Sequence, residues 1–209
     1  MGWYEDRVLP RIIELACGNQ GMDRYRRRAT EGLSGTVVEI GFGSGFNAPL
    51  YPTEVTRILA VEPSALARER SLARCGAASA EVEFVGIDGQ RIPLDDSSCD
   101  GALATFTLCT IPDVPTALAE LRRVLRPGGR FHFLEHGRAP DESVRRWQRR
   151  LEPIQHRLGG GCHLTRDAEV MVSDAGFGIE HLERRYVRGP KPMSYFTLGH
   201  AVRLSDRDR

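Results

Sequence analysis

The amino-acid sequence predicts an α/β protein built on a doubly wound, mostly parallel sheet, and three observations carry that expectation. Short β-branched or uncharged runs, TVVEI (36–40), RILAVE (57–62) and GALATFTL (101–108), alternate with helical patterns. The lengths between them suit right-handed βαβ crossovers. The first run leads straight into a glycine-rich turn, GFGSG (41–45), at the strand end where such a sheet takes its ligand.

The elements follow in order. Residues 3–16 read as an amphipathic helix with Val8, Ile12, Leu15 and Ala16 on one face, and Pro10 either kinks it or marks its start. Residues 1–35 form a helical cap segment ahead of one domain spanning 36–209. TVVEI has the composition of a buried parallel strand, and Pro49 and Pro52 keep the helix after the glycine turn short. RILAVE is the second strand. A helix over 64–76 has Ser64 as its N-cap and Gly76 as its stop. VEFVG (82–86) is the third strand and GALATFTL the fourth. Asp113 caps a helix whose Leu118, Leu121, Val124 and Leu125 share one side, and RPGG (126–129) ends it. RFHFLEH (130–136) is the fifth strand. A charged helix over 140–158 then carries an apolar stripe of Val144, Trp147, Leu151, Ile154 and Leu158, broken by GGG (159–161). A helix over 165–176, capped by Thr165, precedes two closing strands on either side of RGPKP.

Composition excludes several classes. The 209 residues are 41% hydrophobic and 27% charged, with a net charge of +1, so no overall field recruits nucleic acid or an anionic membrane. The basic clusters RYRRR (24–28) and RRWQRR (145–150) read as solvated helix faces. Five scattered cysteines (Cys17, Cys75, Cys99, Cys109, Cys162) include no close-spaced pair, so neither a disulfide framework nor a metal site is expected. Reduced thiols fit a cytoplasmic protein. The first 18 residues carry charges throughout, unlike a secretory signal, and Asp6 stands where a myristoylation signal needs Ser or Thr. No run approaches the roughly 20 apolar residues of a membrane span.

The glycines follow the pattern G-x-G-x-G rather than the dinucleotide pattern G-x-G-x-x-G, and Glu39 precedes them. That spacing favours a ligand without a pyrophosphate and speaks against a nicotinamide dehydrogenase. Glu62 ends the second strand, about 20 residues past the first glycine, where an acid accepts from both ribose hydroxyls. Asp88, in VGIDG at the end of the third strand, is positioned to accept from an exocyclic amine. Each acid alone also reads as an exposed loop carboxylate; together they suit an adenosine with a cationic tail.

The ordered set VVEIGFGSG, LAVEPS, FVGIDGQRIPLDDSSCDGALATFTLCTIPD and LRRVLRPGGRFHFLEH spans roughly residues 36–136. It resembles the successive motifs of class I S-adenosylmethionine-dependent methyltransferases. The resemblance implies a Rossmann-like, seven-stranded sheet whose last strand is antiparallel. It implies S-adenosylmethionine as cofactor, leaving as S-adenosylhomocysteine. Gly41, Gly43 and Gly45 would pass beside the methionine part, with Glu39 near its amino group. Glu62, followed by Pro63, would hold the ribose, Asp88 the adenine amine, and Gly89 would lie beside the ring. The main chain at Thr105 and Phe106 would complete the methionine site. LCTIPD, FLEHGRAP, LEPIQHRLGGGCHLTRD and RGPKPMSYFTLGHAV are similar, more narrowly, to a thiol methyltransferase group. Membrane-bound members of that group carry a hydrophobic N-terminal anchor, where this sequence has a charged segment.

Methyl transfer from a sulfonium is an in-line displacement that needs alignment and exclusion of water. A thiol acceptor, with a pKa of about 8.5, gains from a base or a nearby positive charge. His136, at the end of the fifth strand, is the first catalytic candidate and His163, in GGGCHLTR, the second; either also reads as a structural histidine. Cys162 reads as a packed thiol and Cys109 as a pocket wall. Trp147, Tyr195 and Phe196 are candidates for an apolar acceptor site, with Trp147 at a spacing that also suits the core. The expectation is a small-molecule methyltransferase with thiol sulfur as the favoured acceptor. Left open are a quinone or natural-product C- or O-methyltransferase, an RNA methyltransferase, and a non-catalytic S-adenosylmethionine-binding module.

Overall fold

The computed structural model describes residues 20–204, so the helix expected over 3–16, and Cys17, lie outside the described residues. Helix α1 (Gln20–Thr30) precedes strand β1 (Gly35–Ile40), and a short 3-10 turn (Ala48–Leu50) follows the glycines. Then come β2 (Val55–Val61), α2 (Ala65–Cys75), β3 (Glu81–Gly86), β4 (Cys99–Thr105), α3 (Val114–Val124) and β5 (Leu125–His136). The chain continues with α4 (Glu142–Leu158), α5 (Ala168–Asp174), β6 (Phe177–Tyr186) and β7 (Tyr195–Arg203).

The seven strands form one sheet in the order β3-β2-β1-β4-β5-β7-β6. β1 to β5 pair in parallel, and β7 is antiparallel to both of its neighbours. The fold class is therefore the one the sequence implied. Side chains alternate across the pleat, which sorts the core into two layers. Val38, Ile40, Ala102, Phe131 and Phe133 pack against Leu118 and Leu121 of α3 and Val172 of α5. Val37, Ile58, Leu103 and Leu134 face Tyr25 and Ala29 of α1. Among the described residues no helix is long and apolar enough to cross a membrane.

Local chemistry sets the element ends. The Ser64 hydroxyl accepts from Ala67 N at 3.2 Å, and Asp113 Oδ1 accepts from Thr116 N at 3.1 Å, each capping its helix as expected. Three boundaries differ. The fourth strand stops at Thr105, not Leu108, because Phe106 takes a φ of 56° and turns the chain. The helix expected from Thr165 starts at Ala168, capped by Asp167, which accepts from Glu169 N. RPGG does not simply separate helix from strand: β5 already pairs at Leu125, and its register with β4 skips from Leu125 to Arg130, so 126–129 bulge outward.

The stripe on α4 needs correction. Val144 is buried, but Trp147, Ile154 and Leu158 are 55%, 59% and 54% exposed, so Trp147 is not part of the core. The helix is anchored instead by the buried amide of Gln148. Its oxygen accepts from Ala139 N at 3.0 Å, and its nitrogen donates to Gly137 O at 2.9 Å and Pro192 O at 3.0 Å. One side chain thus joins α4 to the segment after β5 and to the loop before β7.

Gln148→Leu keeps the volume but strands one N–H and two carbonyls, a loss of about 1–3 kcal/mol. Urea denaturation followed by circular dichroism should show the lowered midpoint; a wild-type midpoint would refute the anchor.

Candidate functional site

The strand order reverses between β1 and β4, which opens a crevice beyond their carboxyl ends. The glycine turn lies there, with Gly41, Gly43 and Gly45 at φ of 68°, 58° and 76°. That left-handed backbone favours residues without a Cβ. The three positions nonetheless differ. A Cβ on Gly41 would strike the Thr107 side chain, and one on Gly45 would come within 2.9 Å of Ser71 Cβ. A Cβ on Gly43 would meet nothing nearer than Gly41 O at 3.9 Å. Gly43 therefore borders open space.

The Glu62 carboxylate secures the turn. Oε2 accepts from Gly43 N at 2.7 Å and Oε1 from Ser64 N at 2.8 Å, so each oxygen keeps a lone pair. Burial raises this carboxyl above its ordinary value, and the two N–H bonds oppose the rise. Asp88 is exposed and accepts from Gln90 N at 2.9 Å, while Gln90 Oε1 accepts from Asp113 N. A Cβ at Gly89 would stand 3.6 Å from Ile40 and 3.7 Å from Ile111, an apolar floor beside Asp88. Pro63 is exposed, as is Ile87, a rim residue that no motif marks.

Beneath this rim lies a buried polar network. Glu39, expected beside a ligand's amino group, has both oxygens engaged in the interior: Asn47 Nδ2 donates to Oε1 at 2.6 Å and the Tyr51 hydroxyl to Oε2 at 2.7 Å. Burial pushes its carboxyl up to about 7. Arg26 Nη1 donates to Asn47 Oδ1 at 2.9 Å and to Thr105 Oγ1 at 3.1 Å. Its guanidinium lies over the Phe46 and Phe106 rings. RYRRR is thus not wholly a solvated face: Tyr25 and Arg26 are 5% exposed, while Arg24, Arg27 and Arg28 face outward. Phe106, held by its N–H to Leu134 O at 2.8 Å, packs edge-on against Phe196, which meets Tyr25.

The other rim joins the ends of β4 and β5 to the segment after α4. Glu135 Oε1 accepts from Thr107 N and Leu108 N at 2.8 and 2.9 Å, holding the turn that follows β4. Next to it, His136 Nε2 lies 3.0 Å from Cys162 Sγ, and Cys109 Sγ completes a group within 4.8 Å. Hydrogen bonds from Cys109 and His136 draw the Cys162 thiol down to about 4. His136 is raised, the hydrogen bond and charge of Cys162 outweighing the burial that opposes its protonation. No close-spaced cysteine motif announces this group, because its members are distant in sequence. His163 is not part of it: Nδ1 faces Glu152 Oε1 at 3.0 Å, and the ring packs against His156. A groove of about 570 Å³ lined by Leu118, Met171 and Ala175 adjoins the second rim only through Arg166.

Residues 38–133 match the family described as "Methyltransferase domain". Thiol S-methyltransferase TMT1B of Rattus norvegicus is 33% identical over 78% of this chain and 67% of its own length. Demethylmenaquinone methyltransferase of Thermobifida fusca is 29% identical over 75% of this chain and 63% of its own. A SAM dependent methyltransferase from Aquifex aeolicus superposes with a TM-score of 0.66 at 16% identity, covering 93% of this chain and 98% of that one, a likeness of fold.

Glu39 gives stability a pH dependence whose sign follows from its raised value. Between about 4.5 and about 7 the folded chain keeps a proton that the unfolded chain releases. Stability therefore falls as pH rises through this window, by on the order of 3 kcal/mol in all. Thermal melts at pH 4.5–8 should show the slope, and Glu39→Gln should remove that share of it; an identical slope in the variant would count against the assignment.

Proposed function

Because the chain belongs to the class I S-adenosylmethionine-dependent methyltransferases, we propose that it carries the methyl group to the sulfur of a small-molecule thiol. The observation that carries this reading is the group of two sulfurs and an imidazole at the ends of β4 and β5, across from the glycine turn. Similarity to a thiol S-methyltransferase over most of the chain supports it.

The crevice residues fit S-adenosylmethionine. Gly43 leaves its side of the turn open, and the spare lone pairs of Glu62 suit two ribose hydroxyls. Asp88 accepts from the adenine amine, and Gly89, lacking a Cβ, lets the ring settle toward Ile40 and Ile111. Pro63 borders the ribose. When bound, the sulfonium supplies an electrophilic methyl group. The protein's contribution is alignment, which can be worth about 7–11 kcal/mol, and exclusion of water. Arg26, Asn47 and Glu39 hold the turn against Thr105 from below. Phe106 and Phe196 supply an apolar wall. His136 and His163 stand on the acceptor side, His136 beside the two sulfurs and His163 with Nε2 left over from its contact with Glu152.

Radiolabelled methyl transfer to alkyl thiols, quinols and phenols tests the acceptor. Turnover with thiols is expected; turnover confined to quinols would favour the second reading, which the demethylmenaquinone methyltransferase relative supports. Calorimetry with S-adenosylhomocysteine tests the cleft. Glu62→Ala and Asp88→Ala each remove a charged acceptor and should weaken binding about 10- to 100-fold. Gly43→Ala should fold yet bind at least about tenfold more weakly, since its new methyl group enters open space. Wild-type affinity in any of the three would refute that contact.

A further inference from the structure

We propose that Cys109, His136 and Cys162 form a zinc site whose fourth position is open to the sulfur of the methyl acceptor. The three ligand atoms lie within 4.8 Å of one another, and Cys162 Sγ is 3.0 Å from His136 Nε2. Zinc bonds of about 2.3 Å to sulfur and 2.0 Å to nitrogen, at tetrahedral angles, place neighbouring ligands about 3.5–3.8 Å apart. The observed triangle brackets those edges, so adjustments of about 1 Å or less admit the ion. Two thiolates and an imidazole are a soft set that selects zinc over magnesium or calcium. Three protein ligands with one open position are the arrangement of catalytic rather than structural zinc.

The triangle is held together before any ion arrives. His163 N donates to Cys109 O at 2.8 Å, and Arg166 Nη1 donates to Leu108 O and Ile111 O at 2.6 and 2.7 Å. These bonds fasten the segment carrying Cys162 to the turn carrying Cys109. Gly160 and Gly161, at φ of 64° and 84°, bring the chain back from α4 to Cys162. Glu135 fixes the same turn from the strand that ends in His136. His136 Nδ1 has no acceptor among the described residues, so Nε2 is the ring atom committed to the sulfurs. Both cysteines are buried while His136 is partly exposed. No other such group of three converges among the described residues.

A small thiol entering the fourth position releases its proton to solvent and is held as a thiolate by the metal charge. Its sulfur forms the new bond to the methyl carbon as the bond from that carbon to the sulfonium breaks. The electron pair of the broken bond returns to the donor sulfur. The product thioether is neutral and a weaker ligand, so it departs. The fourth ligand rests on the thiol reading above; the metal does not.

Metal content of the purified full-length chain, grown with zinc and handled without chelator, tests the site. About one zinc per chain is expected, falling at least about tenfold in Cys109→Ser and Cys162→Ser and unchanged in Cys75→Ser. Circular dichroism and S-adenosylhomocysteine binding identify variants that have folded. Cobalt in place of zinc should give tetrahedral ligand-field bands and sulfur-to-metal charge transfer that shift when propanethiol is added. A folded wild-type chain that takes up no more zinc or cobalt than the Cys109→Ser/Cys162→Ser double variant would overturn the site, even if it methylates thiols. Stoichiometric metal with bands unmoved by propanethiol would keep the cation and overturn the thiol as its fourth ligand.

Discussion

The constraint on which the architecture depends is the burial of one carboxyl group, Glu39, at the point where the strand order reverses. An ionisable group in the interior costs several kcal/mol unless its hydrogen bonds are met. Asn47 and Tyr51 meet them, and Arg26 and Thr105 in turn complete the partners of Asn47. For this to happen the chain must double back after the glycines to bring Asn47 beneath them. The 3-10 turn must then deliver Tyr51, and α1 must dock against the end of β4. The floor of the crevice is thereby set from the inside.

A second interior acid, Glu135, does the corresponding work across the crevice. It captures two main-chain N–H groups just past the left-handed Phe106, so the turn after β4 takes its position from β5. The two sides are nevertheless built differently. The side facing the glycine turn consists of strand ends and lies almost wholly within the residues that match the methyltransferase family, 38–133. The opposite side draws Cys162 and His163 from the segment after α4, and Phe196 from β7, beyond that match. The two sides of the crevice are thus supplied by different stretches of the chain, one inside the family match and one largely beyond it.

What the sequence revealed was whatever is written locally. The β-branched runs and the Ser64 and Asp113 caps each need only a few adjacent residues, and a strand forms at each run and a cap at each of the two residues. Arg26 was hidden because helical periodicity treats arginine as solvent-facing, while its partners Asn47 and Thr105 are 21 and 79 residues away. The apolar spacing of α4 identified a helix correctly but not the face that meets the body, which Gln148 decides through contacts made only after folding. Cys162 and His136 are 26 residues apart and on different elements, so no local motif announces their meeting.

The placement of β7 bears on how the protein is made. It follows β6 in the chain yet sits between β5 and β6, so a ribosome that has released only as far as Tyr186 holds a sheet with a raw edge at β5 and a β6 still lacking its β7 neighbour. Such an edge invites pairing with other chains until it is filled. Phe196, which braces Phe106, is also absent at that stage. Truncation ahead of Tyr195 would therefore remove an interior plank of the sheet rather than trim its edge.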